Sequence, residues 1–299
     1  MQIEIIANPV AGGGRAKKAL NRAERLLEKK NVDYEIHWTS FPGHATELAN
    51  ELEPISETLV AAGGDGTVME VLNGVESSDT PVGIIPAGMG NDLSRCLGVP
   101  SKASGALRNL LDGSGKSIDL GSAEGRLFNF MGVGFPANVV RNVEIHKNGM
   151  ARGRFVYLFG LLRSITELSS YEIELQLEGE QISCRASAVF VASCRYTGGG
   201  LNLIPHADPS DGLLDVALIR EVGRAELTMA LRKVYSGNHV NHPKIEFFRA
   251  RSVKIKAGDQ LREMFDGDLG GSTPTELKVI PKARRIITPD GKTGNTADL

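Results

Sequence analysis

A glycine turn that contains one carboxylate is the most chemically informative feature of the sequence. Residues 63–67 read Gly-Gly-Asp-Gly-Thr and lie between an apolar run at 59–62 and a helix-like run at 68–72. Glycine N–H groups can approach a phosphate closely, and the positive end of the following helix favours negative charge. Asp65 would repel a triphosphate unless a divalent cation lay between them or the carboxylate handled a proton. The turn predicts phosphoryl transfer, and the alternative is a plain strand-to-helix turn with a capping Asp.

Length and composition favour a folded protein of two domains. The chain has 299 residues, near the length at which single cores stop growing, and an ordinary 41% of hydrophobic residues. Its net charge of −2 shows no excess of basic residues, so we expect no nucleic-acid partner. The three cysteines have no zinc or disulfide spacing, which favours a reducing cytoplasm. No apolar run approaches the ~18 residues of a membrane span, so contact with a membrane is expected to be peripheral.

The order of predicted elements changes along the chain. Strands and helices alternate at first, as in a parallel sheet with crossover helices, and glycine-bearing loops at 8–14, 63–67 and 86–92 follow three of the strands. Ligands of open α/β sheets bind at that edge. From about residue 122, short alternating apolar segments predict antiparallel strands. We predict an α/β domain at 1–121, to which 284–299 could return, and a β-rich domain at 122–283.

Six stretches of the sequence, taken in order, resemble the diacylglycerol kinase catalytic-domain family, which includes bacterial lipid kinases and the sphingosine and ceramide kinases. They span essentially the whole chain and are Asn8-Pro9 with Gly12, Thr39 with Gly43-His44-Ala45, Gly63–Thr67, Pro86–Asp92, Pro205 through Asp211–Asp215, and Phe265–Asp268. Nicotinamide-nucleotide kinases and phosphofructokinases share the glycine turn alone. The resemblance implies a three-layer α/β domain with a mostly parallel sheet, of the NAD kinase or diacylglycerol kinase type, followed by an antiparallel β-sandwich domain.

The resemblance implies that ATP binds between the first loop and the glycine turn. Short polar side chains and bare backbone at strand ends suit that role. Taken singly, Asn8-Pro9 would be a turn breaker and Thr39 a helix cap. The predicted nucleotide-binding residues are Asn8, Pro9, Gly12, Thr39, Gly63, Gly64, Asp65, Gly66, Thr67, Glu70, Gly88 and Asn91.

Three aspartates are catalytic candidates by the same resemblance. Asp65 is expected near the phosphates and a Mg²⁺ ion, through water, because Mg²⁺ usually keeps several waters. Asp92 would orient the acceptor hydroxyl, or would be a helix-start residue that interacts with the dipole. Asp268 is the candidate general base, although the family pattern is Asp-Gly-Glu and this chain reads Asp-Gly-Asp at 266–268. Its shorter side chain must be carried closer or act through water, and the alternative is a simple hairpin turn.

A second acidic segment lies at 208–215. By resemblance, the Asp211 carboxylate and the backbone carbonyls of Asp208 and Leu213 hold a structural Mg²⁺, with Asp215 nearby. Hard oxygen ligands suit that ion. The residues alone would favour a tight turn before a strand.

Two methionines depart from the family pattern. Met69 stands where relatives often carry Asn, and Met89 where they often carry Thr. The second change removes a hydroxyl group that could bind phosphate or nucleotide. We therefore expect nucleotide affinity or base preference to differ from those of relatives, and assign Met89 no binding role.

The acceptor lipid is less well defined. A strongly apolar helix is predicted at 155–168, after Arg152-Gly153-Arg154. An apolar helix flanked by arginines could rest on an anionic lipid surface, but a helix that is apolar nearly all round favours burial, here lining a cleft for an acyl chain. Diacylglycerol, a sphingoid base, ceramide and phosphatidylglycerol all stay open as acceptors.

Together these expectations describe a cytoplasmic, peripherally membrane-associated lipid kinase that uses ATP and Mg²⁺. Edge strands of the second domain could pair in a homodimer. One alternative is a soluble nucleotide kinase of the NAD type, against which the segment 86–92 argues. The other is a non-catalytic lipid- or nucleotide-binding homologue, suggested by the changes at residues 69, 89 and 268.

Overall fold

The computed structural model describes residues 2–147 and 154–290. Contacts divide the chain into two compact units: residues 1–119 with 198–200 and 281–299, and residues 120–197 with 201–280. The domain boundaries expected from the sequence stay predictions. The polar chain end, from 291 onward, and the Arg152-Gly153 pair lie outside the described residues.

The helices and strands are numbered in chain order. The α-helices of the described residues are α1 (Arg15–Lys29), α2 (His44–Leu52), α3 (Asp65–Gly74), α4 (Asp92–Cys96), α5 (Ala103–Asp112), α6 (Phe135–Lys147), α7 (Arg154–Thr166) and α8 (Arg224–Val234). The strands are β1 (Gln2–Ala7), β2 (Asp33–Trp38), β3 (Thr58–Gly63), β4 (Pro81–Pro86), β5 (Ser114–Ala123), β6 (Arg126–Phe128), β7 (Phe130–Gly134), β8 (Tyr171–Leu177), β9 (Glu180–Ala192), β10 (Tyr196–Thr197), β11 (Leu201–Asn202), β12 (Leu214–Arg220), β13 (Ile245–Ala250), β14 (Ser252–Ala257), β15 (Arg262–Phe265), β16 (Asp268–Ser272) and β17 (Thr275–Thr288).

The first unit is built on a parallel sheet in the order β2-β1-β3-β4, and the end of β17 adds beside β4 in parallel. Leu20 and Leu27 of α1 and Leu107 of α5 pack with Ile3 and Ile5 of β1 in one apolar core. Because the sheet strands are parallel, their carboxyl ends lie at one edge, and the loops after β1, β3 and β4 leave from that edge.

The second unit is antiparallel and has two apolar cores. Strand β9 pairs with β7, β8 and β12, and alternate residues along it enter different cores. Val189 and Val191 belong to one core, and Ala188 and Phe190 belong to the other. The expected fold class, a mostly parallel α/β region followed by a β-rich region, is confirmed.

The prediction that the apolar helix at 155–168 is buried is only partly correct, because α7 has an exposed apolar side. Leu158, Phe159 and Leu162 are 50%, 54% and 51% exposed. Gly160 faces α6, where a Cβ atom on it would lie 2.5 Å from Val143 Cγ2. Both faces of α7 are apolar, so periodicity could not show which one packs against α6. Among the helices of residues 2–147 and 154–290, none has the length and apolar character that crossing a bilayer requires.

Glu263 on β15 places a carboxyl group in the interior of the second unit. It is 3% exposed, and Oε1 has no hydrogen bond within the described part of the chain. Burial raises the pKa of Glu263 to about 7. The hydrogen bond with Thr275 lowers this pKa by a smaller amount, and the negative charge of Glu124 raises it slightly. Between its ordinary pKa and about 7, the folded state holds a proton that the unfolded chain releases.

Stability should therefore fall as pH rises from about 4.5 to 7, by up to about 3 kcal/mol in the free energy of unfolding. Glu263→Gln stays neutral and should lose this slope. Urea unfolding of both proteins at pH 5, 6, 7 and 8 measures the effect, with the exposed Glu178→Gln as the matched control. Parallel pH curves for the wild type and Glu263→Gln would contradict the prediction.

Candidate active site

The first glycine loop is hydrogen-bonded to the glycine turn after β3. Asn8 follows β1, and its backbone N–H donates to the Ala62 carbonyl at 3.0 Å. Its side-chain Nδ2 donates to Thr67 Oγ1 at 3.2 Å, and its Oδ1 accepts the Val10 N–H at 3.0 Å. The loops that follow two neighbouring parallel strands are thus held together by one asparagine side chain.

Glycines allow three loops to touch at this sheet edge. Gly12 has φ 58°, and a Cβ atom on it would lie 2.1 Å from the Ala87 carbonyl oxygen. A Cβ atom on Gly88 would lie 2.5 Å from the Gly64 Cα atom. Such distances are too short for any side chain, so larger residues at Gly12 or Gly88 would force the loops apart. The contact brings together the loops after β1, β3 and β4.

Asp65 and Asp92 lie side by side at the centre of these loops. Asp65 Oδ1 accepts the backbone N–H of Asp92 at 2.6 Å and of Leu93 at 3.4 Å, so it caps α4. A Cβ atom on Gly90 would lie 2.7 Å from Asp65 Oδ2 and 3.2 Å from Asp92 Oδ2. Two carboxylates therefore border the same short stretch of bare backbone.

Both carboxyl groups are harder to ionise than usual. Burial raises the pKa of Asp65 despite its backbone hydrogen bonds. Burial, followed by the negative charge of Asp65, raises the pKa of Asp92 to about 6. A divalent cation beside this pair would favour the ionised forms, because an opposite charge lowers a carboxyl pKa.

A glycine segment distant in sequence completes the surroundings of Asp92. The backbone N–H groups of Gly199 and Gly200 donate to Asp92 Oδ2 and Oδ1, at 2.9 Å and 2.7 Å. Asp92 is the first residue of α4, as its helix-start interpretation requires, but its carboxylate is directed to residues 198–200. Sequence reasoning did not identify this segment, although three consecutive glycines were a visible signal.

Arg15 is a second residue that sequence reasoning missed. Its Nε donates to the Gly12 carbonyl at 3.0 Å, and its Nη2 donates to the Gly88 carbonyl at 3.1 Å. The guanidinium group therefore joins the first and last of the three loops and places a permanent positive charge there. An arginine directly after three glycines was the available signal.

Other predicted nucleotide-binding residues make contacts that shape the loops. The two carboxylate oxygens of Glu70 accept the Gly43 and Ala45 N–H groups at 3.0 Å and 3.2 Å, which holds the start of α2. Asn91 Oδ1 accepts the Gly88 N–H at 2.9 Å. The Thr39 N–H donates to the Ala7 carbonyl at 2.9 Å at the end of β1. Their contacts with a nucleotide stay predictions.

The two methionine departures lie in different surroundings. Met69 is buried on α3, whereas Met89 is half exposed in the loop after β4. A buried thioether at residue 69 packs within the first unit, and a change in nucleotide preference stays a prediction for both.

The segment 266–268 forms a hairpin in the second unit. Asp266 and Gly267, with φ 51° and 96°, are the two turn residues between β15 and β16. Asp266 Oδ1 accepts the backbone N–H groups of Asn129 at 3.2 Å and Phe130 at 3.0 Å. Asp268 is exposed and begins β16. The predicted hairpin turn is therefore present, and the role of Asp268 as a general base stays a prediction.

The acidic segment of the second unit contains a fully buried aspartate beside an arginine. Asp215 is fully buried, and His206 Nε2 lies 3.4 Å from its Oδ1. Burial, and then the charge of Asp208, raises the pKa of Asp215 to about 6, although Arg249 Nε lies 3.3 Å from Oδ1. Asp211 forms an ion pair with Arg249 and accepts the Leu213 N–H at 3.0 Å. The carboxylate of Asp211 and the carbonyls of Asp208 and Leu213 are oxygen ligands of the type that Mg²⁺ prefers, and the ion itself stays a prediction.

Comparisons with known proteins agree with this arrangement. A family model described as the diacylglycerol kinase catalytic domain matches residues 2–123. A model described as the YegS C-terminal NAD kinase beta sandwich-like domain matches residues 130–288, more than half of the chain. The diacylglycerol kinase of Bacillus subtilis (strain 168) is 29% identical over 297 residues, with 96% of each chain covered. That of Mycobacterium tuberculosis (strain ATCC 25618 / H37Rv) is 29% identical over 298 residues, with 96% of this chain and 95% of the relative covered.

Solved structures share the whole fold. A crystal structure of a protein from Bacillus anthracis str. Sterne has a TM-score of 0.83 at 25% identity and covers 100% of this chain and 96% of that one. A diacylglycerol kinase structure from the same organism has a TM-score of 0.73 at 22% identity, which supports the fold alone. It covers 100% of this chain and 98% of its own. The resemblance deduced from six sequence stretches is confirmed: the chain belongs to the diacylglycerol kinase catalytic-domain family.

Proposed function

We propose that this protein is a lipid kinase that transfers the γ-phosphoryl group of ATP to a lipid hydroxyl and requires Mg²⁺. The observation that carries the proposal is the contact of three glycine loops around Asp65, at the carboxyl ends of β1, β3 and β4. Bare backbone and a cationic side chain suit phosphates, while two adjacent carboxylates suit a divalent cation.

Each residue has a distinct role in the proposed reaction. The loop N–H groups and Arg15 bind and orient the phosphates, which lowers the entropic barrier to transfer. Asp65 would hold Mg²⁺ through water, and the ion would supply charge neutralisation at the transferred phosphoryl group. Asp92 orients the acceptor hydroxyl, and Asp268 accepts its proton. In the second unit, Asp208, Asp211 and Leu213 would hold the structural Mg²⁺.

Incubation with γ-labelled ATP tests the function directly. The purified protein, Mg²⁺ and a total lipid extract should give a labelled, organic-extractable product whose mass identifies the acceptor lipid. Nicotinamide dinucleotide in place of lipid is the soluble control. Label in the soluble acceptor alone would favour a nucleotide kinase, and ATP binding without turnover on a wide lipid panel would favour a non-catalytic homologue.

An exposed apolar strip supports peripheral contact with a membrane. By this strip we mean the exposed apolar side chains of two helices that pack together, Ile145 on α6 and Leu158, Phe159 and Leu162 on α7, each at least half exposed. Apolar side chains of a surface helix gain free energy by entering the boundary between head groups and acyl chains. The strip therefore suits a kinase that takes its acceptor from a lipid surface.

Phe159→Asp should weaken vesicle binding and lower turnover of a vesicle-embedded lipid by about tenfold, since burying a Phe side chain contributes about 1.5–3 kcal/mol. Turnover of a short-chain, monomeric lipid should be unchanged. Vesicle sedimentation and parallel kinase assays measure both effects. Ile55→Asp, which changes an exposed apolar residue of the first unit, is the matched control. Equal losses on both substrates would argue against membrane docking by this strip.

A further inference from the structure

A buried carboxylate lies on β1, next to the edge strand of the parallel sheet and apart from the glycine loops. Glu4 points to the face of β1 opposite that of Ile3 and Ile5, and is 1% exposed. Strand β2 is the edge strand, and its register places Glu35 beside Glu4 and His37 beside Ile6. Glu35 and His37 are two residues apart, so their side chains emerge on the same face of the sheet.

The three side chains converge. His37 Nε2 lies 2.7 Å from Glu4 Oε2, and Gln2 Nε2 donates to Glu4 Oε1 at 2.9 Å. One donor atom from each of Glu4, Glu35 and His37 lies within 4.8 Å of the others. Glu35 is exposed, and its side chain makes no hydrogen bond or ion pair with any other described residue. Its carboxylate is thus available at the open side of the cluster.

The charges of this cluster do not balance with protein groups alone. A buried carboxylate is costly unless it is paired, and like charges on neighbouring strands are unfavourable. Even a protonated His37 would neutralise only one of the two carboxylates. Glu35 leaves a surplus negative charge beside a buried ion pair, which a dication would compensate.

We propose that Glu4, Glu35 and His37 bind one divalent transition-metal ion of the zinc class. Imidazole nitrogen and carboxylate oxygen both bind zinc, whereas Mg²⁺ and Ca²⁺ prefer oxygen ligands throughout. Three protein ligands leave a position for water on the exposed side. The bound ion cross-links the edge strand β2 to β1, and so stabilises the first unit independently of the kinase reaction.

Zinc binding to tag-free, chelator-treated protein tests the proposal. Calorimetric titration with Zn²⁺ gives stoichiometry and affinity, and the visible spectrum of the Co²⁺ form reports nitrogen and oxygen ligation. Glu35→Gln should abolish the binding of one equivalent of Zn²⁺ or lower the affinity for that ion by at least about tenfold. His37→Gln should have the same effect. The matched control is His242→Gln, which alters a histidine 3.5 Å from Glu226 in the second unit.

Thermal unfolding supplies a readout that does not depend on activity. Zn²⁺ should raise the unfolding midpoint of the wild type and of His242→Gln, relative to chelator, but not that of Glu35→Gln. Because Glu35 is exposed, its variant should fold even if His37→Gln does not. Unchanged Zn²⁺ stoichiometry and affinity in Glu35→Gln would overturn the proposal. Absence of Zn²⁺ binding by the wild type would overturn it too and leave a plain Glu4–His37 ion pair.

Discussion

Asp65→Asn should abolish phosphoryl transfer, with a fall in kcat of at least about 10³-fold. A neutral amide cannot compensate the charge of a divalent cation, and interactions that stabilise charge in the transition state are commonly worth 10² to 10³ each. The amide oxygen can still accept the N–H groups of Asp92 and Leu93, which Asp65 Oδ1 accepts now. The fold should therefore survive. Single-turnover transfer from labelled ATP measures the loss of activity, and the thermal unfolding midpoint measures whether the fold is retained.

The matched control for this variant is Asp79→Asn, which neutralises an exposed aspartate between α3 and β4. It should leave both turnover and stability unchanged. Wild-type turnover by purified, folded Asp65→Asn would contradict the proposed role of Asp65 in phosphoryl transfer. Loss of activity together with unfolding would instead show that Asp65 serves mainly as the cap of α4.

Asp268→Asn should lower kcat by about 10²- to 10⁴-fold, the range usual for loss of a general base. Asp268 is exposed at the start of β16, so the substitution should not affect folding. Asp268→Glu restores the Asp-Gly-Glu pattern of the family and should retain or increase activity. A pH profile adds a specific test, because loss of a base should flatten the rising limb of kcat against pH.

Asp259→Asn, in the loop before β15, is the control because it removes an exposed carboxylate of the same unit. It should leave the pH profile unchanged. If Asp268→Asn kept both the wild-type kcat and its pH profile, segment 266–268 would be a hairpin turn without a catalytic role. The proton would then have another acceptor.

Local signals in the sequence were sufficient for much of the first unit. The alternation of strands and helices predicted for this part of the chain is found from β1 to α4. The ends of parallel strands share one sheet edge, so the loops at 8–14, 63–67 and 86–92 were predicted to lie together, and the contacts of Gly12, Gly64 and Gly88 agree. The second unit was predicted less completely. Short segments in a β-rich region carry weak periodicity, so helix α8 and several strands were not predicted, namely β5, β6, β7, β10, β11, β15 and β16.

The sequence by itself determined the fold class, the family and the glycine turn around Asp65, because each depends on residue types at short, fixed spacings. Only the tertiary structure showed that the Gly199 N–H donates a hydrogen bond to Asp92, 107 residues away, and that Arg15 donates one to the Gly88 carbonyl. It also decided which face of α7 packs, since both faces are apolar and the close approach of Gly160 to Val143 selects one. Contacts between residues far apart in the chain depend on how the elements pack, and no local pattern encodes that packing.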